Sequence, residues 1–307
     1  MIKPRALKHG DRIAVVAPAS SFARDEFDRG IRELARLGFE PVFDDRVFST
    51  ESGYLAGSAD VRAANFMAYW DDPRVAALMA VRGGFGSVHI LPMLDGAHLK
   101  TNPKLFIAYS DNTSLLSWLT CACGITALHG PMLEGRLAGG AAKYDERSLL
   151  ALTQDGRGLE LRPEGLTTLR DGEATGPLFG GTIANLVASL GTPYAFDPPD
   201  GCVLFLEDVN ERPFRIDRML MQLRLSGVLG RARALVFGEM RGCDEPGGAV
   251  TARQVIERLT GDTRGPVLYG FPSGHTTGPC WTLPLGVSVR VTTRPKPMLV
   301  VEEAAVR

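Results

Sequence analysis

Apolar residues along this chain come in short unbroken blocks separated by amphipathic stretches, not in the strict alternation of a half-exposed sheet. Arg12-Ile-Ala-Val-Val-Ala17, Ala76–Val81 and Leu105–Tyr109 are too short for helices and suit strands buried on both faces. Between them, Arg24–Leu37 puts Phe27, Ile31 and Leu34 on one helical face and stops at Gly38. Ser58 starts a second helix that runs to about Trp70. Glu40–Phe43 reads as a short strand, Gly83–Leu94 as a turn and a helix, and Gly124–Leu128 as a fifth strand. This βαβα order predicts an α/β domain over residues 1–137, with a parallel sheet covered by helices on both faces. Such sheets take their ligands at the carboxyl ends of the strands.

The texture then changes. Gly139-Gly140, Asp155-Gly156 and Asp171-Gly172 punctuate short segments, which predicts a linker over 138–175. Beyond it the elements are mixed, in a second domain over 176–307. Helices are expected at Thr182–Leu190, Phe214–Leu225 and Thr251–Leu259. Strands are expected at Cys202–Leu206, Ala234–Phe237, Val287–Thr292 and Met298–Val301. A length of 307 residues suits two domains with ample core.

The stretch from Leu105 to Leu119 carries the most chemical information. Its apolar strand ends at Tyr109, Asp111, Asn112 and Thr113 supply helix-capping side chains, and Leu115, Leu116, Trp118 and Leu119 follow at helical spacing. Ser110 therefore falls between the carboxyl end of a strand and the start of a helix. There a hydroxyl projects from the fold, and backbone N–H groups favour a developing negative charge. A serine that merely ends a strand has the same neighbours, so this stretch alone leaves both readings open.

Composition narrows the partners. Lys plus Arg (34) nearly balances Asp plus Glu (35) and no basic block occurs, which gives no support to a nucleic-acid or anionic-membrane partner. No apolar run approaches the roughly 20 residues that span a bilayer. The first residues, Met1 to Asp11, lack the apolar core of a signal peptide, and the five cysteines are odd in number without CxxC spacing. Reduced thiols in a cytoplasmic protein are expected. Cys121-Ala-Cys123 has no second Cys or His pair, so both residues are assigned to the core and no metal is expected.

Three further segments stand out. Arg82-Gly-Gly-Phe-Gly86 follows the third strand and lets backbone N–H groups approach a ligand without a Cβ in the way. It matches neither GxGxxG nor GxxxxGK[ST], so half of an oxyanion hole, a phosphate loop and a plain turn all remain readings. Leu204-Phe-Leu-Glu-Asp-Val209 attaches two acids to an apolar strand. Capping the helix after Pro213 accounts for Asp208, whereas Glu207 needs a hydrogen-bond partner. Ser273-Gly-His-Thr-Thr-Gly278 holds a histidine in a Gly-flanked loop. Of the other histidines, His9 is in the N-terminal tail, His89 and His98 have surface-like neighbours, and His129 is assigned a structural or pocket-lining place. Ser110, Glu207 and His275 form an admissible acyl-transfer set, because such triads are defined by geometry and not by chain order.

These pieces join in a resemblance. The chain resembles the LD-carboxypeptidase family of serine peptidases, which includes muropeptide LD-carboxypeptidases and microcin C immunity peptidases. The likeness runs through Gly10–Ser20, Arg82–Gly86, Tyr109-Ser-Asp111, His129-Gly-Pro-Met132, Gly180-Gly181 and Leu190-Gly-Thr-Pro-Tyr194. It continues through Leu206-Glu-Asp208, Arg215–Leu220, Gly274-His275 and Thr282–Gly286. The resemblance implies Ser110 as nucleophile, Glu207 as orienting acid and His275 as general base. It also implies an oxyanion hole, assigned here to the N–H groups of Gly84 and Asp111. It further implies a flavodoxin-like or class I amidotransferase-like N-terminal domain, a smaller β-rich C-terminal domain, a homodimer, and no cofactor. Two departures are visible. Ala108 stands where the family usually has glycine, and the loop from His275 to Thr282 is about one residue longer, which brings Trp281 toward the pocket.

The expected reaction is hydrolysis of the bond from an L-centre to a terminal D-alanine in a muropeptide tetrapeptide. Gly83 and Arg82 are expected beside the substrate, and Arg82, Arg136 and Arg215 are the guanidinium groups considered for its terminal carboxylate. Two alternatives stand: an immunity peptidase acting on peptidyl- or aminoacyl-nucleotides, with Trp281 to stack on the base, and a non-catalytic muropeptide-binding protein on the same scaffold.

Overall fold

The buried apolar blocks of the first half assemble into a six-stranded sheet in the computed structural model, which describes all 307 residues. Strands β1 (Arg12–Val16), β2 (Glu40–Val42), β3 (Val75–Ala80), β4 (Leu105–Ala108) and β5 (Ala127–His129) pair in parallel in the order β2-β1-β3-β4-β5. Helices α1 (Arg24–Arg36), α2 (Ala59–Asp71), α3 (Gly96–Leu99) and α4 (Thr113–Ser117) lie in its connections. The region Gly83–Leu94 holds a 3-10 helix over Ser87–Met93 in place of an α-helix, and Pro92 sits within it. Proline lacks the N–H that a longer helix would require.

The stretch expected as a linker is more structured than its Gly-rich texture suggests. It contains α5 (Glu146–Gln154), β6 (Glu160–Leu161) and β7 (Thr167–Arg170), and it runs into β8 (Glu173–Thr182). With β9 (Cys202–Glu207), β10 (Ala232–Gly238), β11 (Val267–Phe271), β13 (Ser288–Thr292) and β14 (Met298–Val301), these strands form an eight-stranded sheet ordered β6-β14-β13-β8-β9-β10-β11-β7. Its centre, β8-β9-β10-β11, is parallel, and the flanking pairs are antiparallel. Helices α6 (Ile183–Ser189), α7 (Pro213–Leu225) and α8 (Ala252–Leu259) supply a second apolar layer on this sheet, built on Ile183, Ile216, Leu220 and Ile256.

One strand crosses over. β12 (Leu283–Leu285) adds antiparallel to β5 at the edge of the first sheet. A continuous apolar cluster joins the lobes, from Leu78 and Ile107 to Val203, Phe205, Val236 and Phe271. The residues that follow β4 consequently meet the carboxyl ends of β8 and β9, where Thr113 bonds Thr182. No helix is long and apolar enough to cross a membrane.

Candidate active site

Ser110 follows β4 after the extended residue Tyr109 and has φ of 64°. A left-handed conformation at a residue with a Cβ costs about 1–3 kcal/mol and persists only where its surroundings enforce it. Gly83 leaves the room that this turn needs. A Cβ added there would lie 2.7 Å from Ser110 Cβ, 2.8 Å from its Oγ and 3.1 Å from the Asp111 nitrogen. Ala108, fully buried in β4, leaves this sharp turn intact.

The capping residues behave differently from the sequence expectation. Asn112 precedes α4 without a side-chain cap. The Asp111 carboxylate accepts from the Ser87 N–H at 2.8 Å, and Asn112 donates to the Arg82 carbonyl at 3.0 Å. Thr113 Oγ1 accepts from the Thr182 N–H at 3.1 Å. All three reach across to neighbouring segments, because the first turn is a tight 3-10 turn over Ser110–Asn112.

The three sequence-predicted groups converge. Ser110 Oγ lies 2.9 Å from His275 Nε2, and His275 Nδ1 lies 2.9 Å from Glu207 Oε2. Glu207, the last residue of β9, is 1% exposed. It also accepts from the His275 N–H at 3.1 Å and from the Thr182 hydroxyl on Oε1. Burial alone would raise its pKa, but the adjacent His275 and the Thr182 hydroxyl hold it below the ordinary carboxylate range. The sequence marks Thr182 only as a helix start. In the fold it links α4, through Thr113, to Glu207, a role set by partners 69 and 25 residues away.

Asp208 does not cap the helix after Pro213. It caps α6, accepting from the Ala184 N–H at 2.9 Å, because β9 ends beside the start of α6. Burial, then the neighbouring Glu207, push its pKa up to about 7. His129 is fully buried at the end of β5. Ser273 Oγ donates to the Trp281 carbonyl at 2.7 Å and therefore accepts from His129 Nδ1–H at 2.9 Å. This leaves His129 Nε2 as an unprotonated, unpartnered nitrogen, and burial lowers the pKa to about 4.

The groups expected beside the substrate differ in what they touch. Gly84, with φ of 93°, stands against Ser20, whose Oγ would be hit by any Cβ. Ser20 Oγ in turn accepts from the Phe85 N–H at 3.0 Å. Buried Arg62, unmarked in the sequence, donates to the carbonyls of Pro18, Gly57 and Gly86 and so supports the same loop. Arg82 pairs with Glu134 at 3.1 Å and stays 39% exposed, its Nε 3.8 Å from where a Gly84 Cβ would be. Arg136 donates to loop carbonyls, and Arg215 pairs with Glu211 one turn away. Trp281 packs on Phe271, ring centroids 6.4 Å apart, and is half-buried against the core. All five cysteines are unpaired, and burial raises their thiol pKa values to about 11 or 12.

Known proteins share this chain's sequence pattern and fold. Residues 13–130 match the LD-carboxypeptidase N-terminal domain and residues 175–291 the LD-carboxypeptidase C-terminal domain. The chain is 33% identical over 300 residues to a probable murein peptide carboxypeptidase of Bacillus subtilis, covering 96% of this chain and 92% of that protein. It is 29% identical to a murein tetrapeptide carboxypeptidase of Pseudomonas aeruginosa, covering 86% and 88%. It is 28% identical to the microcin C7 self-immunity protein MccF of Escherichia coli, covering 94% and 91%. Among solved structures, a muramoyltetrapeptide carboxypeptidase from Oxalobacter formigenes superposes with a TM-score of 0.81 at 27% identity, covering 94% and 97%. Wild-type MccF without ligand has the same fold at a TM-score of 0.89, with 24% identity and full coverage of both chains. The chain belongs to the LD-carboxypeptidase family.

Proposed function

We propose that this protein is a serine carboxypeptidase that releases terminal D-alanine from muropeptide tetrapeptides by cutting the bond after an L-centre. The observation that carries the reading is the 2.9 Å approach of Ser110 Oγ to His275 Nε2, with Glu207 behind the ring. Nε2 takes the hydroxyl proton as Ser110 attacks the carbonyl, and Glu207 stabilises the imidazolium. The N–H groups of Gly84 and Asp111 receive the oxyanion. His275 then gives its proton to the departing amine of D-alanine. Water enters, loses a proton to the same nitrogen and attacks the acyl-enzyme, and Ser110 leaves with that proton. Arg82, exposed beside the Gly84 loop, reads the terminal carboxylate. Cytoplasmic residence and a homodimeric assembly belong to this reading, with five unpaired thiols fitting a reducing compartment.

The likeness to murein peptide carboxypeptidases of B. subtilis, P. aeruginosa and O. formigenes supports a murein peptide substrate. A second reading, cleavage of peptidyl- or aminoacyl-nucleotides, draws on the likeness to MccF. It is the weaker of the two, because Trp281, the aromatic expected to stack on a base, is packed on Phe271. Mass spectrometry of products from a diaminopimelate tetrapeptide and from an aminoacyl sulfamoyl-adenylate separates them. Release of free D-alanine is expected, falling by at least about 10²–10³ in Ser110→Ala, the order seen when one oxyanion donor is lost. Tetrapeptide binding without turnover would make the chain a binding protein instead.

A further inference from the structure

His275 sits on an irregular segment, Pro272–Trp281, strung between β11 of one sheet and β12 of the other. Nothing in its own secondary structure fixes the imidazole. Two side chains of opposite charge grip it from opposite lobes. Arg136, beyond β5 in the first lobe, donates to the carbonyls of Gly274 at 2.8 Å, Thr276 at 2.9 Å and Gly278 at 3.2 Å. Glu239, immediately after β10, accepts from the Thr277 N–H and Thr277 Oγ1, each at 2.8 Å, and from the Thr276 hydroxyl. Neither side chain has an ion-pair partner within 4.0 Å, so both charges are directed at this loop and balanced by its dipoles. Charge-assisted hydrogen bonds are roughly twice as strong as neutral ones, and a network of them holds a backbone in one geometry.

We propose that Arg136 and Glu239 are positioning residues that set His275 on Ser110, one acting from each lobe, so that the general base is correctly placed only where the two lobes meet. This rests on the triad reading above, and it concerns placement of the base without depending on which substrate is cut. A misplacement of about 1 Å at a reacting group can cost on the order of 10² in rate. Removing either grip is therefore expected to slow chemistry while leaving ground-state binding largely alone.

The test follows covalent labelling of Ser110 by a fluorophosphonate, a probe that needs the activated hydroxyl and not the natural substrate. Arg136→Met and Glu239→Ala should each slow labelling by roughly 10- to 100-fold. Arg136→Lys and Glu239→Gln, which retain part of the hydrogen bonding and should fold if the others do not, should fall between these and the wild type. In a His275→Ala background the same substitutions should change the residual labelling by less than about twofold, because the base they place is gone. On the tetrapeptide, kcat should fall with KM within about twofold. Wild-type labelling rates in Arg136→Met and Glu239→Ala would overturn the proposal, as would an undiminished effect in the His275→Ala background. Failure of the wild type itself to label would instead strike at the triad.

Discussion

At single residues, His129 links a buried polar atom without a partner to the acid stability of the fold. His129 stays neutral in the folded protein down to about pH 4, whereas in the unfolded chain it takes up a proton near 6.5. The unfolded state therefore binds more protons between those values, and the stability of the fold declines as pH falls through that window. The full loss is on the order of 3 kcal/mol. Above pH 6.5 it is absent. His129→Phe keeps the ring packing on Phe205 and Tyr109 and removes the titration. Urea denaturation at about pH 7.5 and about pH 4.5, either side of most of that window, should show a smaller acid loss in His129→Phe than in the wild type, and equal losses would refute the account. Ser110, Glu207 and His275 stand out in sequence as polar residues that close a short apolar strand or lie between glycines, while their joining into a candidate triad comes from the family resemblance. Thr182, Arg62 and Glu239 were not legible. Each is an ordinary residue for its local segment, and each acquires its role from groups brought in by the tertiary fold.

At the level of elements, the first lobe was readable because its strands are unbroken Val, Ile, Leu and Ala runs, and α1 and α2 carry clear starts or stops. The longest strand was not. β8 contains Gly176, Gly180 and Gly181, which in sequence look like turn punctuation. In the sheet those glycines are sites of close approach. A Cβ on Gly180, at φ of 131°, would lie 1.9 Å from the Phe205 carbonyl oxygen, and one on Gly181 would lie 2.7 Å from Thr113 Oγ1. The small residues thus let β8 lie against β9 and let α4 reach Thr182 and, through it, Glu207. Gly180→Ala cannot keep the β8–β9 pairing and should cost more than about 3 kcal/mol. A loss of soluble expression or a Tm drop of many degrees is the expected result, and a Tm near that of the wild type would show that the strand has slack. β12 carries no signal in the sequence for a simpler reason. Three residues containing a proline give no periodicity to read.

For the molecule as a whole, the two sheets meet along one apolar junction, and neither lobe holds the full candidate triad. Ser110 comes from the first sheet, Glu207 from the second, and His275 from the segment that spans them. The apolar cluster that runs through both lobes makes this a shared core and not a hinge. Residues 1–137 expressed alone would leave β5 as a bare edge, a ready template for association with another chain. Such a fragment should aggregate and should be rescued into a soluble complex by co-expression with residues 138–307, as read by co-purification. A monomeric 1–137 with a cooperative melt would contradict this. The backbone partners of His129 and Leu128 are Leu283 and Pro284, which lie far downstream in the sequence. During synthesis the first sheet thus waits, its border unsealed, until the stretch that carries β12 has left the ribosome, and a truncation that removes Leu283–Leu285 should be as damaging as one within the first lobe.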